Sequence, residues 1–306
     1  MQTLSGRLIR DLTAAAHGKI KANEPLAGYT SYRIGGPAPL MIFPDSESEI
    51  AAVLKIVRSD ELPLLILGRG SNLLVSDYGW EGVAICLADN LSGWWFEGDT
   101  AYAMAGSNLL DFIRACCERD LAGLEKLAGI PGTVGGALKM NAGAFGQEIG
   151  AVTASVQGCY TDGRPFSARG AEIGFGYRQA PGLDGIILTR SCFNLVPGDR
   201  ADLKNEIETT LSRRAAKQPL ACPSCGSVFK RPEGHFAGAL IEQAGLKGKK
   251  IGGAMVSPKH AGFIVNTGKA TAIDVYTLIR LIEKTVAEKF GVVLEREVKL
   301  VGRFEG

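Results

Sequence analysis

The sequence predicts an α+β fold divided into two or three domains. The chain has 306 residues, and a single domain usually takes roughly 100–200 of them. Helical and strand patterns both occur, but strands do not alternate regularly with helices in the C-terminal third, which argues against one large doubly wound sheet. Hydrophobic residues make up 46% and charged residues 22% of the chain, a globular composition that excludes general disorder.

Composition and charge exclude several classes of protein. The formal net charge is +2 and the basic residues are scattered, so no nucleic-acid partner is predicted. No run of about 18 apolar residues occurs, and residues 1–7 lack the apolar block of a signal peptide. We therefore expect a cytoplasmic protein without a nucleic-acid or membrane partner, and the sequence indicates no obligatory protein partner.

Apolar periodicity predicts the elements of the N-terminal half. Apolar side chains every three to four residues indicate helices, and short apolar runs between turn signals indicate strands. Ser46 and Glu49 have capping-box spacing at one helix start. The predicted elements are helices at 4–16, 46–58 and 107–119, strands at 64–67, 83–87 and 100–105, a glycine-rich stretch at 121–150, and strands with turns at 152–195.

The C-terminal part follows a predicted linker at 195–202. Thr271 and Asp274 have capping-box spacing before the longest predicted helix, and Gly291 is expected to end it. The predicted elements are helices at 203–216, 236–245 and 272–290, strands at 253–257 and 262–266, and a final strand at 292–300.

Two cysteines, Cys222 and Cys225, have CxxC spacing. A zinc site would need a second pair or nearby histidines, but the only histidines are His17, His235 and His260. No metal site is therefore predicted. A redox pair, or a tight turn with incidental thiols, remains as the interpretation of the motif.

Two glycine-rich segments are candidates for contacts with a ligand. The first, residues 68–75, follows a buried strand and begins like a dinucleotide fingerprint, but Leu73 stands where the third glycine belongs. Its glycines, with Ser71 and Asn72, are typical of a phosphate cradle, although a plain turn is the alternative. The second segment, residues 129–144, favours a large nucleotide held from two sides or, alternatively, a tight crossing of two backbones.

Three further segments carry reactive residue types: Tyr177 with Arg178, residues 224–232 with Ser227, and residues 294–298 with Glu295 and Glu297. Each alone is weak evidence. Together and in this order, the segments resemble the UDP-N-acetylenolpyruvoylglucosamine reductase family, from residue 30 to residue 302. The most specific stretches are GIPGTVGGA with MNAGAFG at 129–146 and SCGSVFKRP at 224–232.

The resemblance implies a fold and a reaction. It implies a two-part FAD-binding region of the vanillyl-alcohol-oxidase-like (PCMH-type) fold at 1–198, divided at about 20–88 and 89–198. A C-terminal α+β substrate domain is implied at 199–306, with its last strand returning toward the active site. The implied reaction is NADPH-dependent reduction of enolpyruvyl UDP-N-acetylglucosamine to UDP-N-acetylmuramate in peptidoglycan precursor synthesis. Non-covalent FAD serves as cofactor, and the two substrates use one cleft in turn.

The resemblance also implies a set of site residues. Arg178 would stabilise the substrate carboxylate as negative charge develops, Ser227 would donate a proton, and Glu297 would be the third catalytic residue. Periodicity alone does not separate Glu297 from Glu295. The implied cofactor contacts are Tyr32, Gly68, Arg69, Gly70, Ser71, Asn72, Leu73, Pro131, Gly132, Thr133, Gly135, Gly136, Asn141, Ala142 and Gly143. The implied substrate contacts are Tyr177, Lys217, Lys230, Arg231 and His260.

The chain resembles the shorter type of the family. Only residues 179–185 separate Arg178 from the next predicted strand, which leaves no room for the longer type's inserted loop with its substrate-binding tyrosine. How the uridine end is covered stays open at this point. Three other interpretations remain: another FAD-dependent oxidase or dehydrogenase on the same fold, a non-enzymatic nucleotide-binding module, and a thiol redox protein.

Overall fold

The computed structural model describes residues 4–17, 19–88 and 90–304. Residues 1–3, part of the stretch expected to lack a signal peptide, lie outside this part of the chain. The α-helices are α1 (Gly6–Ala15), α2 (Glu47–Ser59), α3 (Leu109–Cys117), α4 (Val134–Lys139), α5 (Arg200–Lys217), α6 (Ala237–Gln243) and α7 (Ala272–Phe290). Short 3₁₀ helices lie at Leu26–Tyr29, Glu125–Leu127, Ile149–Val152, Gly170–Glu172 and Pro181–Leu183.

Many of the strands are short. They are β1 (Ile20–Pro25), β2 (Pro37–Ile42), β3 (Leu64–Leu67), β4 (Leu73–Val75), β5 (Val83–Cys86), β6 (Trp94–Glu97), β7 (Thr100–Met104), β8 (Leu121–Ala122), β9 (Gly143–Ala144), β10 (Gln147–Glu148), β11 (Thr153–Tyr160), β12 (Pro165–Arg169), β13 (Ile186–Asn194), β14 (Val196–Pro197), β15 (Lys250–Ile251), β16 (Ala254–Val256), β17 (Ile264–Asn266) and β18 (Lys299–Val301). The mixture of helices and strands confirms the predicted α+β class.

Contacts divide the chain into two compact units. Unit 1 comprises Met1–Ala22, Pro39–Arg69 and Gly82–Arg214, and unit 2 comprises Asn23–Ala38, Gly70–Glu81 and Ala215–Gly306. These units reflect contacts and not ligands, so the division at residue 198 into a FAD region and a substrate domain stays a prediction.

Unit 1 contains two sheets. The first has the order β1-β2-β5-β3, and its strands β2, β5 and β3 run parallel. Helices α1 and α2 cover it with the apolar side chains that the periodicity predicts, among them Leu12, Val53 and Leu54. The second sheet is antiparallel, in the order β12-β11-β13-β7-β6. Its core includes Phe112 of α3 and Phe193 of β13, whose ring centroids lie 5.4 Å apart.

Unit 2 is built around helix α7 and the antiparallel sheet β15-β16-β17. The apolar face of α7, including Val275, Leu278 and Ile282, packs in a core shared with α6. Strands β4 and β18 pair in parallel, with Leu73 opposite Lys299 and Val75 opposite Val301. Strand β18 therefore lies beside the first glycine segment.

Most predicted elements are confirmed. Ser46 caps α2 by accepting a hydrogen bond from the Glu49 backbone N–H, at 3.2 Å. Thr271 and Asp274 form the predicted capping box of α7, and Gly291 ends that helix in the left-handed region at φ +67°. These signals are local, so the sequence carries them completely.

Three predictions of secondary structure need correction. The final strand is not continuous over 292–300, because only Lys299–Val301 forms a ladder and residues 294–298 make a single bridge between Arg296 and Phe229. Tyr177 and Arg178 do not lie in a strand but in a tight turn closed by Gly176 and Gln179. A short helix, α4, lies within the second glycine segment. It was not predicted from the sequence, because glycine has a low helix propensity.

No helix in the described part of the chain is long and apolar enough to span a bilayer.

Candidate active site

In unit 1 the first glycine segment begins against the second. A Cβ atom at Gly68 would lie 2.6 Å from Oγ1 of Thr133, so only glycine allows this approach. Oγ1 of Thr133 accepts a hydrogen bond from the Gly136 N–H and caps α4. The two glycine segments thus meet at Gly68 and Thr133, as expected of two loops that contact one ligand.

The second glycine segment packs tightly on strand β7 and helix α3. A Cβ atom at Gly135 would lie 2.9 Å from Cβ of Ala105, and the Gly132 carbonyl accepts a hydrogen bond from Leu109 N–H. Gly132 has φ +134°, a conformation that side chains rarely adopt. The close crossing of two backbones is therefore present in this segment, and the contact with a nucleotide stays a prediction.

In unit 2, Gly70 of the first glycine segment packs against the segment that carries Tyr29 and Ser31. Gly70 has φ +54°, and a Cβ atom there would lie 2.3 Å from the Tyr29 carbonyl oxygen. The Ser31 N–H donates to the Gly70 carbonyl at 3.3 Å. Gly70 is therefore required both for its conformation and for space.

Asn72 links the first glycine segment to Glu297. Its Nδ2 donates to the Glu297 carbonyl oxygen at 3.0 Å, and its own carbonyl accepts from Lys299 N–H, also at 3.0 Å. The β4–β18 pairing continues this contact from Leu73 onward. The amide of Asn72 thus holds the segment that carries a predicted catalytic residue.

The backbone of Glu297 pairs with the segment that carries Ser227. The Glu297 N–H donates to the carbonyl oxygen of Val228, the residue after Ser227, at 2.8 Å. Ser227 itself bridges to Phe263 and is half-buried. Among the described residues, no group forms a hydrogen bond with the Ser227 hydroxyl, which leaves it available to a ligand.

The same pairing separates Glu297 from Glu295. The Lys230 N–H donates to the Glu295 carbonyl at 2.9 Å, and the Lys230 ammonium forms a salt bridge with the Glu295 carboxylate. The Glu295 side chain is 71% exposed. This arrangement associates Glu295 with Lys230 and Glu297 with Ser227, which favours Glu297 as the catalytic candidate.

In unit 1, Arg178 occupies a strained position at the tip of its turn. The turn is closed by hydrogen bonds between Gly176 and Gln179 at 3.0 and 3.2 Å, and Arg178 has φ +56°. Its Nη2 donates to the Gly143 carbonyl at 2.9 Å, and its guanidinium lies 5.1 Å from the Tyr177 ring centroid. Left-handed arginine is unusual, and such strain is typical of functional positions.

The predicted substrate contacts are spread over both units. Tyr177 of unit 1 is exposed, and Lys217 lies exposed at the end of α5 in unit 2. The Arg231 guanidinium lies 4.0 Å from the Phe236 ring centroid. Nδ1 of His260 accepts from Gly262 N–H at 3.1 Å, and burial lowers the pKa of His260 below 6.5. His260 is therefore neutral at pH 7 with its proton on Nε2, and can donate one hydrogen bond from that atom.

The structure does not favour a side-chain contact between Tyr32 and a ligand. Tyr32 has no exposed surface and packs in the core of unit 2 beside Cys225. Burial raises the pKa of the Tyr32 hydroxyl well above 10 and the pKa of the Cys225 thiol to about 12. A thiol that stays protonated is a poor nucleophile, and the described residues contain no metal-binding group of three or more His, Cys, Asp or Glu.

Asn141 also serves the protein's own structure. Its side chain is 1% exposed, and its Nδ2 donates to the Glu148 carboxylate at 2.8 Å and to the Gly176 carbonyl at 3.0 Å. Ala142 is buried beside it, and Gly143 begins the small hairpin β9–β10. Sequence reasoning missed Glu148, because the only signal for it is the hairpin register that places it opposite Gly143.

Comparisons with known proteins give the family. A model described as the C-terminal domain of UDP-N-acetylenolpyruvoylglucosamine reductase matches residues 218–301, and a FAD binding domain model matches residues 38–159. A UDP-N-acetylenolpyruvoylglucosamine reductase of Lachnoclostridium phytofermentans is 44% identical over 93% of each chain. The chain belongs to the UDP-N-acetylenolpyruvoylglucosamine reductase family. A family member from Levilactobacillus brevis is 45% identical, again over 93% of each chain.

Solved structures support both the family and the FAD fold. The family's reductase from Thermus caldophilus has a TM-score of 0.79 at 34% identity, covering 91% of this chain and 98% of that one. The berberine bridge enzyme of Eschscholzia californica has a TM-score of 0.50 at 16% identity, covering 63% of this chain and 44% of that one. The second likeness shows the fold alone, and it confirms the predicted PCMH-type architecture.

The residues of both glycine segments fit FAD. Among the described residues, the backbone N–H groups of Gly70 and Asn72 in unit 2 donate to no protein acceptor, and the same holds for the Thr133 N–H in unit 1. Unpartnered N–H groups in glycine-rich turns suit a pyrophosphate. Gly68, Arg69 and Ser71 complete the first segment and Gly136 the second. Leu73 enters β4 with its side chain half-buried.

Proposed function

We propose that this chain reduces the enolpyruvyl double bond of UDP-N-acetyl-3-O-(1-carboxyvinyl)-glucosamine to give UDP-N-acetylmuramate, a peptidoglycan precursor. The observation that carries the proposal is the likeness to the reductase family over 93% of both chains. The FAD binding domain match at residues 38–159 supports the cofactor. When bound, FAD supplies a hydride that originates from NADPH.

The substrate must receive a hydride at its terminal carbon and a proton at the adjacent carbon. After hydride addition, negative charge collects on the carboxylate as an enolate-like species. We propose that Arg178 binds this carboxylate, since a guanidinium stays charged and pairs with carboxylates in a bidentate manner. Charge stabilisation that is stronger in the transition state than in the ground state raises the rate of the chemical step.

We propose that the Ser227 hydroxyl donates the proton and that Glu297 assists it. The hydroxyl has no competing acceptor in the described chain, and Glu297 pairs through its backbone with the residue that follows Ser227. A hydroxyl is a weak acid, so this donation requires a strongly basic intermediate such as the enolate. We propose that Lys230, whose ammonium pairs with the Glu295 carboxylate, also contacts the substrate.

The remaining predicted contacts complete the proposal. We propose that Tyr177, Lys217, Arg231 and His260 bind the sugar nucleotide, with the neutral His260 donating from Nε2. We also propose that the enzyme acts in the cytoplasm on a small-molecule substrate and needs no protein partner, nucleic acid or membrane. Full turnover by purified protein, together with recovery from the soluble cell fraction, tests this part.

A Ser227→Ala variant tests the mechanism, because the two half-reactions can be followed separately. NADPH should bleach the flavin of the variant at nearly the wild-type rate. Reoxidation by the enolpyruvyl nucleotide should slow by about 10²–10⁴-fold, the usual effect of losing a general acid. Ser227→Cys should recover part of this loss. Stopped-flow absorbance near 450 nm measures both halves.

Ser224→Ala is the matched control, since it removes a hydroxyl from the same segment without touching the proposed donor. It should leave both half-reactions near wild type. Equal slowing of both halves by Ser227→Ala would make Ser227 a structural residue. Failure of the enolpyruvyl nucleotide to reoxidise the wild-type flavin would instead indicate another FAD-dependent enzyme of the same fold.

A further inference from the structure

The side chain of Asn141 connects the hairpin β9–β10 to the turn that carries Arg178. Nδ2 uses both of its protons inside the protein, on Glu148 Oε2 at 2.8 Å and on the Gly176 carbonyl at 3.0 Å. Oδ1 accepts the Gly150 N–H at 3.0 Å. The amide is 1% exposed and therefore fully engaged, which leaves it little capacity for a ligand.

These contacts form a closed ring of residues that includes Arg178. Asn141 holds Gly176, which closes the Arg178 turn, and Arg178 Nη2 donates to the Gly143 carbonyl at 2.9 Å. Gly143 pairs with Glu148 in the hairpin, and Glu148 accepts from Asn141. We call these five residues the positioning ring. Each link of the ring lies within unit 1.

The positioning ring leaves no space for adjustment. A Cβ atom at Gly143 would lie 2.8 Å from the Glu148 side chain and 3.4 Å from Arg178 Nη1. A Cβ atom at Gly150 would lie 2.7 Å from Asn141 Oδ1. Both Asn141 and Arg178 have positive φ, at +39° and +56°. Strained residues persist only where surrounding contacts fix them, and here the contacts fix each other.

We propose that Asn141 is a positioning residue that orients the Arg178 guanidinium toward the substrate carboxylate. This inference rests on the proposed function for the identity of that carboxylate. Asn141 acts through Gly176 and the turn, and Glu148 fixes the amide in the orientation that donates to Gly176. Without the amide, the Gly176 carbonyl loses the hydrogen bond that joins the turn to Asn141 and, through Glu148, to the hairpin.

The variant Asn141→Asp tests this role with almost no change in size. The carboxylate keeps the acceptor for Gly150 N–H but loses both donors and repels Glu148. Reoxidation of the flavin by the enolpyruvyl nucleotide should slow by about 10²-fold, the scale expected for a misplaced binding group. Bleaching by NADPH should stay within about twofold of wild type. Calorimetric titration of the oxidised holoprotein with the nucleotide should show weaker binding without any turnover.

A double-mutant cycle separates positioning from general structure. In an Arg178→Ala background, Asn141→Asp should add less than about threefold to the loss, because there is no guanidinium left to orient. Asn205→Asp is the matched control, since it makes the same chemical change at an exposed position on α5 of the same unit. It should behave as wild type in every measurement.

If Asn141→Asp fails to retain flavin, Asn141→Gly replaces it, because glycine adopts positive φ without strain. Equal slowing of both half-reactions, full additivity with Arg178→Ala, or unchanged reoxidation would each overturn the inference. A wild-type flavin that the nucleotide does not reoxidise would refute the proposed function instead.

Discussion

Among the described residues, three of the eight non-glycine residues with positive φ lie in or next to the hairpin β9–β10 and the Arg178 turn. Asn141, Phe145 and Arg178 have φ of +39°, +51° and +56°. Each such residue costs about 1–3 kcal/mol, which the surrounding contacts must offset. Strain of this kind adds no stability, so we interpret its presence at Arg178 as functional.

Individual site residues were predictable from the sequence to different degrees. Ser227 and Glu297 lie in distinctive motifs, and the structure pairs their segments through Val228. Glu148 was not predictable, because its role depends on the register of a hairpin with two-residue strands. The burial of Tyr32 was not predictable either, since an aromatic residue near a glycine loop suits both a core and a ligand contact.

The cysteine pair should be dispensable for turnover. We expect a Cys222→Ser/Cys225→Ser double variant to turn over within about threefold of wild type, a change below about 1 kcal/mol. Burial raises the pKa of the Cys225 thiol to about 12, so no thiolate forms there at neutral pH. Steady-state kinetics normalised to flavin content measure the effect. A large loss of turnover with full flavin content would contradict the prediction.

His260 should make unit 2 sensitive to acid. Burial lowers the pKa of His260 below its ordinary 6.5, and the positive charge of Lys247 adds to this shift. Below pH 6.5 the unfolded chain therefore binds a proton that the folded chain still excludes. The stabilising contribution is complete above pH 6.5 and is lost as the pH falls toward the lowered pKa.

Urea unfolding at pH 8 and at pH 5 measures this contribution. The free energy of unfolding should fall less in His260→Gln than in wild type, because the variant lacks the titrating group. His235→Gln, at an exposed histidine of the same unit, should keep the wild-type difference. A parallel fall in all three proteins would refute the assignment.

At the scale of elements, local signals were sufficient for most helices. Capping boxes and a terminal glycine define α7, and apolar periodicity defines α2 and α3. The sequence could not give α4, because two glycines in six residues lower helix propensity and tertiary contacts with Ala105 form the helix regardless. The final strand was overestimated for a related reason: residues 294–298 have strand character but no continuous partner.

Helix α7 also has a cap from a distant part of the chain. The two carboxylate oxygens of Asp77 accept the N–H groups of Ala272 and Ile273 at 2.8 and 3.1 Å. We expect Asp77→Ala to lower the free energy of unfolding by about 1–2 kcal/mol, the usual cost of losing a helix cap with its favourable charge. Urea denaturation followed by circular dichroism measures the change.

Glu288→Ala is the control for this prediction, because Glu288 forms an exposed pair with Lys284 on the same helix. Such a pair contributes a few tenths of a kcal/mol, at about 0.3–0.5. If Asp77→Ala costs no more than Glu288→Ala, the distant cap does not stabilise α7.

At the scale of the whole molecule, the family resemblance predicted more of the architecture than apolar periodicity did. Periodicity gave the α+β class but could not show that residues 23–38 and 70–81 join the C-terminal third in one unit. Such assembly depends on pairings between residues more than 200 positions apart, such as Leu73 with Lys299. No local window contains that information.

The flavin should be released completely when the protein is denatured. The glycine segments contain no histidine or cysteine, and Cys86, whose sulfur lies 3.9 Å from the Gly68 carbonyl oxygen, is buried. Acid precipitation should therefore leave all flavin in the supernatant, and a Cys86→Ser variant should give the same result. Flavin retained in the wild-type pellet but absent from the Cys86→Ser pellet would identify a covalent bond.

The parallel pairing of β4 with β18 also imposes an order on biogenesis. Ribosomes make the chain from its N-terminus, so residues 73–75 cannot pair until residues 299–301 have been synthesised, more than 200 positions later. Until then Asn72 lacks its Lys299 and Glu297 partners, and the loop that should hold the pyrophosphate stays unanchored. Cofactor loading should thus follow the synthesis of β18. A chain cut after Val298 should purify colourless, whereas one cut after Phe304 should be yellow.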